Sequence, residues 1–408
     1  MRLNSRVSEA LNRWPVFILI GLFFFGLLIF AVYSATETNL PGTDFFIYYV
    51  AARQVTIEHG SPYAETVGEQ SQLAILKHLS RPGEDQLRYV YPPYGLLPVL
   101  PLSGLSIRLA YAVWLSFWIL CLPIALIYAF RTVPPLVLLN LLLLYPLTFG
   151  LMLGNLNIAV ICIILLVAGR LPGMSTRQKV EPLILGFFFA WATVKPQFSS
   201  FFILVFVLTA FRKQIWRFIA GFITGVVILI ITSFFITPQW ITEWLNLIRR
   251  YPAYTGGQVI VSPLVDLFPA GFHTGLYLLL VIFAGLFIGW QLICWWKNRC
   301  TTIELLCLGT GTLFLFHPTG VSYEQMTFLL PFVLYLVCGW QKQPTTHCIV
   351  LLTTVFISWL LVYLSISHLW DRATYYGMYF LFLIWLVFTF IFRKSRILLP
   401  GEQSYIDV

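Results

Sequence analysis

Residues 91–102 read YPPYGLLPVLPL, twelve residues, almost all apolar, with four prolines among them. As an α-helix this segment covers about 18 Å at a rise of about 1.5 Å per residue, against a hydrocarbon core of about 30 Å. Tandem proline after Tyr91 also imposes an extended approach and breaks a helix. The segment therefore reads as re-entrant or interfacial, with both ends on one side. That reading fixes the topology of everything after it. Apolar runs at 15–34, 109–130, 134–152, 156–169, 183–195, 198–211, 218–236, 275–296, 303–316, 326–340, 347–367 and 375–392 become the crossings. Both termini then lie in the cytoplasm, most Lys and Arg fall inside and most acidic residues outside, as the positive-inside rule requires. Counting 91–102 as a span would reverse every later connection and put most basic clusters outside.

The chain has 408 residues, 59% hydrophobic and only 10% charged. Soluble chains are roughly a quarter charged. So little charge implies a surface that sits in lipid. The expected class is an all-α polytopic membrane protein, one domain over 1–408, with about twelve transmembrane helices and interfacial helices in its first outward loop. Several runs are short and must extend into their flanks or sit in a thinned bilayer. A β-barrel is disfavoured, because the apolar runs are continuous rather than alternating.

The net charge of +9 does not point to nucleic acid. The basic residues form small clusters between apolar runs, such as Arg170/Arg177/Lys179, Arg212/Lys213/Arg217 and Arg393/Lys394/Arg396. That is the pattern of cytoplasmic anchors, not of a nucleic-acid groove. Seven cysteines lie mostly in apolar runs without a CxxC, which argues against a disulfide framework or metal site. No metal and no cofactor is expected. Arg2, Arg6 and Arg13 precede the apolar stretch Trp14–Tyr33, which is too long for a signal-peptide core and reads as a signal anchor.

On this map the long connections, 35–108 and 237–274, face outward, with a short one around His317–Gln325. Chemistry is expected there, where soluble nucleotide-sugars and ATP are absent. In GTDFFIYYVAARQVTIEHGSPY, Gly42–Tyr63, Asp44 stands among Phe45, Phe46, Tyr48 and Tyr49. It is either the N-cap of a helix over 45–58 or a partly desolvated general base at the membrane surface. Arg53, nine residues on, either pairs with Asp44 or snorkels to lipid phosphates. RYVYPPYG places Arg88 as a candidate phosphate contact beside Tyr91.

GNLN puts Asn155 and Asn157 at the outer end of a span, where they either cap the helix or face a cavity or each other. In VKPQ, Lys195 and Gln197 sit on a two-residue outward connection; Lys195 is either a snorkelling lysine or a phosphate ligand. HPTGVSYEQ gathers His317, Tyr323, Glu324 and Gln325, as a substrate-facing group or as a solvated loop. Residues 240–257, WITEWLNLIRRYPAYTGG, carry apolar residues at three- and four-residue spacing opposite Glu243, Asn246, Arg249 and Arg250, the signature of an amphipathic interfacial helix. No HExxH, Walker or Rossmann motif is present.

The ordered set GTDFFIYY, GSPY, YPP with a following PL, GNLN, KP and HPTGVSYEQ resembles the GT-C superfamily of integral membrane glycosyltransferases. Within it, the set is most similar to glycosyltransferase family 87, the polyprenyl-phosphate-mannose-dependent α-mannosyltransferases. The resemblance implies a GT-C fold, a polyprenyl-phosphate-linked sugar donor, a lipid or glycan acceptor and membrane lipids as partners. It implies a site on the extracytoplasmic face of a bacterial cytoplasmic (inner) membrane. It also implies Asp44 as catalytic base and Lys195 as a contact to the lipid phosphate. Asn155 stands where the family often has Gln. Tyr323, Glu324 and Gln325 stand where many members carry His or Asp, which leaves the second catalytic group open between His317 and Glu324. A transporter or flippase, and an O-antigen ligase or polymerase using a pyrophosphate-linked donor, are the competing readings.

Overall fold

The computed structural model describes residues 19, 21–36, 42–81, 84–250, 260–316, 322–340, 343–369 and 373–391. Among these it is helical throughout, with no strand. Each apolar run of the sequence coincides with an apolar helix. Four are long and apolar enough to cross a membrane: α4 (Ile107–Ala129), α10 (Trp216–Ile236), the segment Ala270–Trp296 that contains α13 (His273–Trp296), and α16 (Pro344–Ile366). A fifth crossing is made if Pro135–Leu143 and Tyr145–Leu153, bent by 68°, count as one span. The other apolar helices run 10–17 residues. Among the described residues, four helices, or five with the bent pair, thus qualify as crossings by length and composition alone.

The shortening has identifiable causes. Pro135 starts α5 (Pro135–Asn140) and Pro146 lies in the first turn of α6 (Tyr145–Leu153), so the chain turns between them. Gly154 ends α6 in the left-handed region at φ 70°, and α7 (Asn157–Arg170) begins three residues later. Pro196 starts α9 (Pro196–Arg212) and excludes helical geometry from the residue before it. Lys195 accordingly has φ −130° and ψ 75°, and separates α9 from α8 (Val180–Phe189) and the 3₁₀ turn Ala190–Val194. The last two breaks leave buried polar residues, Asn155 and Lys195, at helix ends inside an apolar bundle.

Tyr91–Leu102 does not form a crossing helix. It folds as two 3₁₀ turns, Pro93–Leu96 and Leu100–Leu102, with Tyr94 and Leu96 buried. The same connection holds α2 (Thr43–Thr56) and α3 (Glu65–Ile75). The amphipathic stretch forms α11 (Trp240–Arg250), which docks on that connection. Trp244 Nε1 donates to the Val90 carbonyl at 3.0 Å, and the Ser61 hydroxyl donates to the Glu243 carboxylate. Ile241, Leu245 and Ile248 stay exposed on the other face of α11.

The tightest helix pair is α8 with α10. A Cβ on Gly186 would lie 2.1 Å from the Phe218 carbonyl oxygen, and one on Gly221 would lie 2.1 Å from that of Leu183. The two backbones touch only because neither position carries a side chain. α13 is the opposite case: the apolar window of its segment has no buried residue. The remaining α-helices are α1 (Gly21–Ala35), α12 (Ser262–Val265), α14 (Thr302–Phe314), opened by a Thr301/Glu304 capping box, α15 (Leu329–Gly339) and α17 (Ala373–Ile391).

Candidate active site

The site is built where the helix breaks meet. α2 is pinned at its N-terminus against α4: Phe45 packs between Tyr111 and Trp114, with ring centroids at 5.8 and 5.5 Å. The same two α4 side chains grip the end of α6. Tyr111 donates its hydroxyl to the Met152 carbonyl at 2.5 Å, and Trp114 Nε1 donates to the Gly154 carbonyl at 3.1 Å. A Cβ on Gly154 would lie 2.6 Å from that of Phe45, so this glycine is required by its φ and by the close approach of α2. The clamp brings Asp44, in the first turn of α2, beside Asn155.

Asp44 is not the N-cap of α2. Gly42 holds that position, and no side chain caps the helix. Instead Asn155 Nδ2 donates to Asp44 Oδ2 at 2.6 Å. Asn155 Oδ1 accepts the backbone N–H of Asn157, the first residue of α7, at 2.8 Å; the N-cap position itself is Leu156, which has no side-chain cap bond. Asn157 Nδ2 in turn donates to Glu324 Oε2 at 3.0 Å. Glu324 lies on the 3₁₀ turn Ser322–Phe328 and accepts from Lys195 Nζ at 2.5 Å through Oε1. Both members of this ion pair are 2% exposed. The Lys195 ammonium also lies 5.7 Å from the ring centroids of Tyr91 and of Tyr323.

One continuous line therefore runs from Asp44 through Asn155, Asn157 and Glu324 to Lys195. Asn155 and Asn157 are 1% and 0% exposed, and Asn157 Oδ1 is buried without a partner. Burial pushes the Asp44 carboxyl from its ordinary 3.8 up to about 6. The Asn155 hydrogen bond and the Lys195 charge oppose the rise, while Glu324 and Asp85 add to it. A carboxylate titrating near 6 is ionised at neutral pH yet basic enough to accept a proton during reaction.

The other candidates lie elsewhere. Arg53 sits at the far end of α2, donating to the Tyr49 hydroxyl at 3.3 Å and the Ser103 carbonyl at 3.2 Å, not to Asp44. Arg88 makes a bidentate pair with Glu65, at 2.9 Å on one arm, and this holds the Glu65 carboxyl below its usual range. Gln325 donates to the Thr374 carbonyl at 2.8 Å and so ties the 3₁₀ turn to α17. Gln197 is exposed and lines a separate groove between α9 and α14. His317 lies outside the described residues. No group of three or more His, Cys, Asp or Glu among the described residues is arranged to hold a metal ion. Sequence reasoning missed Tyr111 and Trp114, which position the site from inside an apolar run and carry no polar signal.

Short apolar helices broken at buried polar residues, with one half-buried carboxylate tied to a buried ion pair, define a helical membrane protein with a polar line inside its bundle. The sequence model of glycosyltransferase family 87 matches residues 89–318, more than half of the chain, and the chain belongs to that family. It is a membrane glycosyltransferase of the GT-C type. The matched stretch contains Tyr91, Asn155, Asn157 and Lys195, while Asp44 and Glu324 flank it on either side. No curated protein and no solved structure matches the chain.

Proposed function

We propose that the protein moves a sugar, mannose by family resemblance, from a polyprenyl-phosphate-sugar to a lipid or glycan acceptor at the extracytoplasmic face of a bacterial cytoplasmic membrane. The observation that carries this reading is Asp44: a half-buried carboxylate whose Oδ2 is held by Asn155 and whose Oδ1 is bonded by no described residue. The acceptor hydroxyl gives its proton to Asp44 while its oxygen attacks the anomeric carbon. The bond from that carbon to the phosphate oxygen breaks, and its electron pair leaves with the polyprenyl phosphate. One in-line displacement inverts the anomeric centre, in the manner of single-displacement glycoside chemistry.

The charge that grows on the leaving phosphate needs a fixed cation. Lys195 supplies it. An ammonium carries three N–H donors, and Glu324 takes one of them. Glu324 keeps Lys195 in place, which supports Glu324 as the second functional group of this reading. Twelve membrane crossings, with both termini cytoplasmic, belong to the same proposal.

A transporter reading draws on one observation as well, because broken helices with a buried ion pair are also what substrate pathways use. The family assignment favours transfer. The test is sugar transfer by the purified protein from radiolabelled polyprenyl-phosphate sugars to native lipid extract. Transfer by the wild type, lost in Asp44→Asn while donor binding persists, is the expected result. Absence of transfer from every such donor, with donor binding intact, would turn the assignment toward transport.

A further inference from the structure

Asn155 has two jobs in the geometry, and they fix its orientation. Its Oδ1 is committed to the backbone N–H of Asn157 at 2.8 Å, at the start of α7. A flipped amide would place its NH₂ against that N–H, donor against donor. Only the NH₂ is left to face Asp44, and it does so at 2.6 Å. The partner on the Asn157 side is backbone, held by α7, so the amide is anchored by the helix frame and not by another mobile side chain. Asn155 is 1% exposed, which leaves no solvent to replace its bond to Asp44.

We propose that Asn155 is a positioning residue for Asp44: its locked amide engages Oδ2, stops the carboxylate from turning, and thereby reserves Oδ1 for the acceptor hydroxyl. The proposal rests on the reading of Asp44 as the base. It assigns to the GNLN segment the task of orienting that base. A carboxylate that accepts a hydrogen bond from a fixed donor is also stabilised as the anion. The titratable groups around Asp44 are Lys195, Glu324, Asp85, Tyr48 and Tyr91, and a substitution at Asn155 alone changes the chemistry of none of them.

The experiment separates orientation from helix capping. Asn155→Ala removes both bonds. Asn155→Ser keeps a hydroxyl able to cap α7 but too short to reach Asp44. The Asp44 carboxyl is titrated by infrared difference spectroscopy, its band isolated by subtracting the Asp44→Asn spectrum, and this needs no substrate. In both variants the Asp44 midpoint should move to higher pH by about one unit, because a charge-assisted bond to the anion is lost. Transfer assays should show kcat reduced about ten- to a hundredfold with KM for the donor nearly unchanged, and the acid limb of the pH profile displaced in the same direction. An unmoved infrared midpoint in folded Asn155→Ser overturns the positioning role. Failure of the wild type to transfer sugar would remove the glycosyl-transfer reading and leave the infrared result standing on its own.

Discussion

Lys195 and Glu324 lie 129 residues apart in the chain, yet their side chains meet at 2.5 Å with each only 2% exposed. A buried ion pair owes little net stability to itself, since desolvating each ion costs several kcal/mol. Losing one partner is different, because the other is left as an isolated buried charge. Lys195→Met alone and Glu324→Gln alone should each destabilise the protein by about 3–5 kcal/mol, and the double variant by less than the sum. Thermal unfolding in detergent of all four proteins closes the cycle. Additive effects would mean that the pair is not formed.

With Asp44 as the proposed base, the activity has a defined acid limb. The base works only when ionised, and its carboxyl titrates at about 6. The kcat/KM of transfer should therefore rise with pH through about 6 and level off above it. A profile still flat at pH well below that value would show that Asp44 is not the proton acceptor.

The same shift has a consequence for stability with its own sign. The folded-state value is raised, so the protonated form is favoured by folding. That contribution is complete below the unfolded value of 3.8 and is lost as pH rises through about 6. Asp44→Asn removes the charge that burial penalises. The variant should be inactive, by about three orders of magnitude or more, yet more stable than the wild type at pH 8. Its advantage should shrink as the pH is lowered towards 4. Unfolding temperatures measured across that range give the answer, and a variant equally stable at every pH would contradict it.

The α8–α10 contact predicts a structural failure far from the site. Any side chain at Gly221 must displace the Leu183 carbonyl, since its Cβ would stand 2.1 Å from that oxygen. Gly221→Val should cost about 1–3 kcal/mol or more, because a backbone atom cannot rotate out of the way as a side chain can. Gly271, whose Cβ would meet nothing within 4 Å, is the matched control. Equal melting of the two variants would mean that the helices can part without cost.

The helices themselves were legible because continuous apolar runs have few other solutions in lipid. So were the polar residues that matter: Asp44, Asn155, Asn157, Lys195 and Glu324 each interrupt or flank an apolar run, and that conflict is visible in one dimension. Their partners were not. Whether a lysine at a helix break meets a carboxylate or stands apart depends on a segment more than a hundred residues away. The bond of Arg88 to Glu65, 23 residues away, is equally invisible in one dimension. The bend at Leu144 was not legible either: it divides the run 134–152 through backbone geometry while barely lowering the local hydropathy.

The separations along the chain also say something about how the protein is made. Asp44 bonds to a residue 111 positions on, Asn157 to one 167 positions on, and Lys195 to one 129 positions on. During synthesis the amino-terminal half can be complete while Glu324 has yet to leave the ribosome. Until it arrives, the Lys195 ammonium lacks its ion-pair partner. The Ser322–Phe328 turn that carries Glu324 is itself tied through Gln325 to Thr374 of α17, so the polar line gains its last anchor only when the final helix has been made.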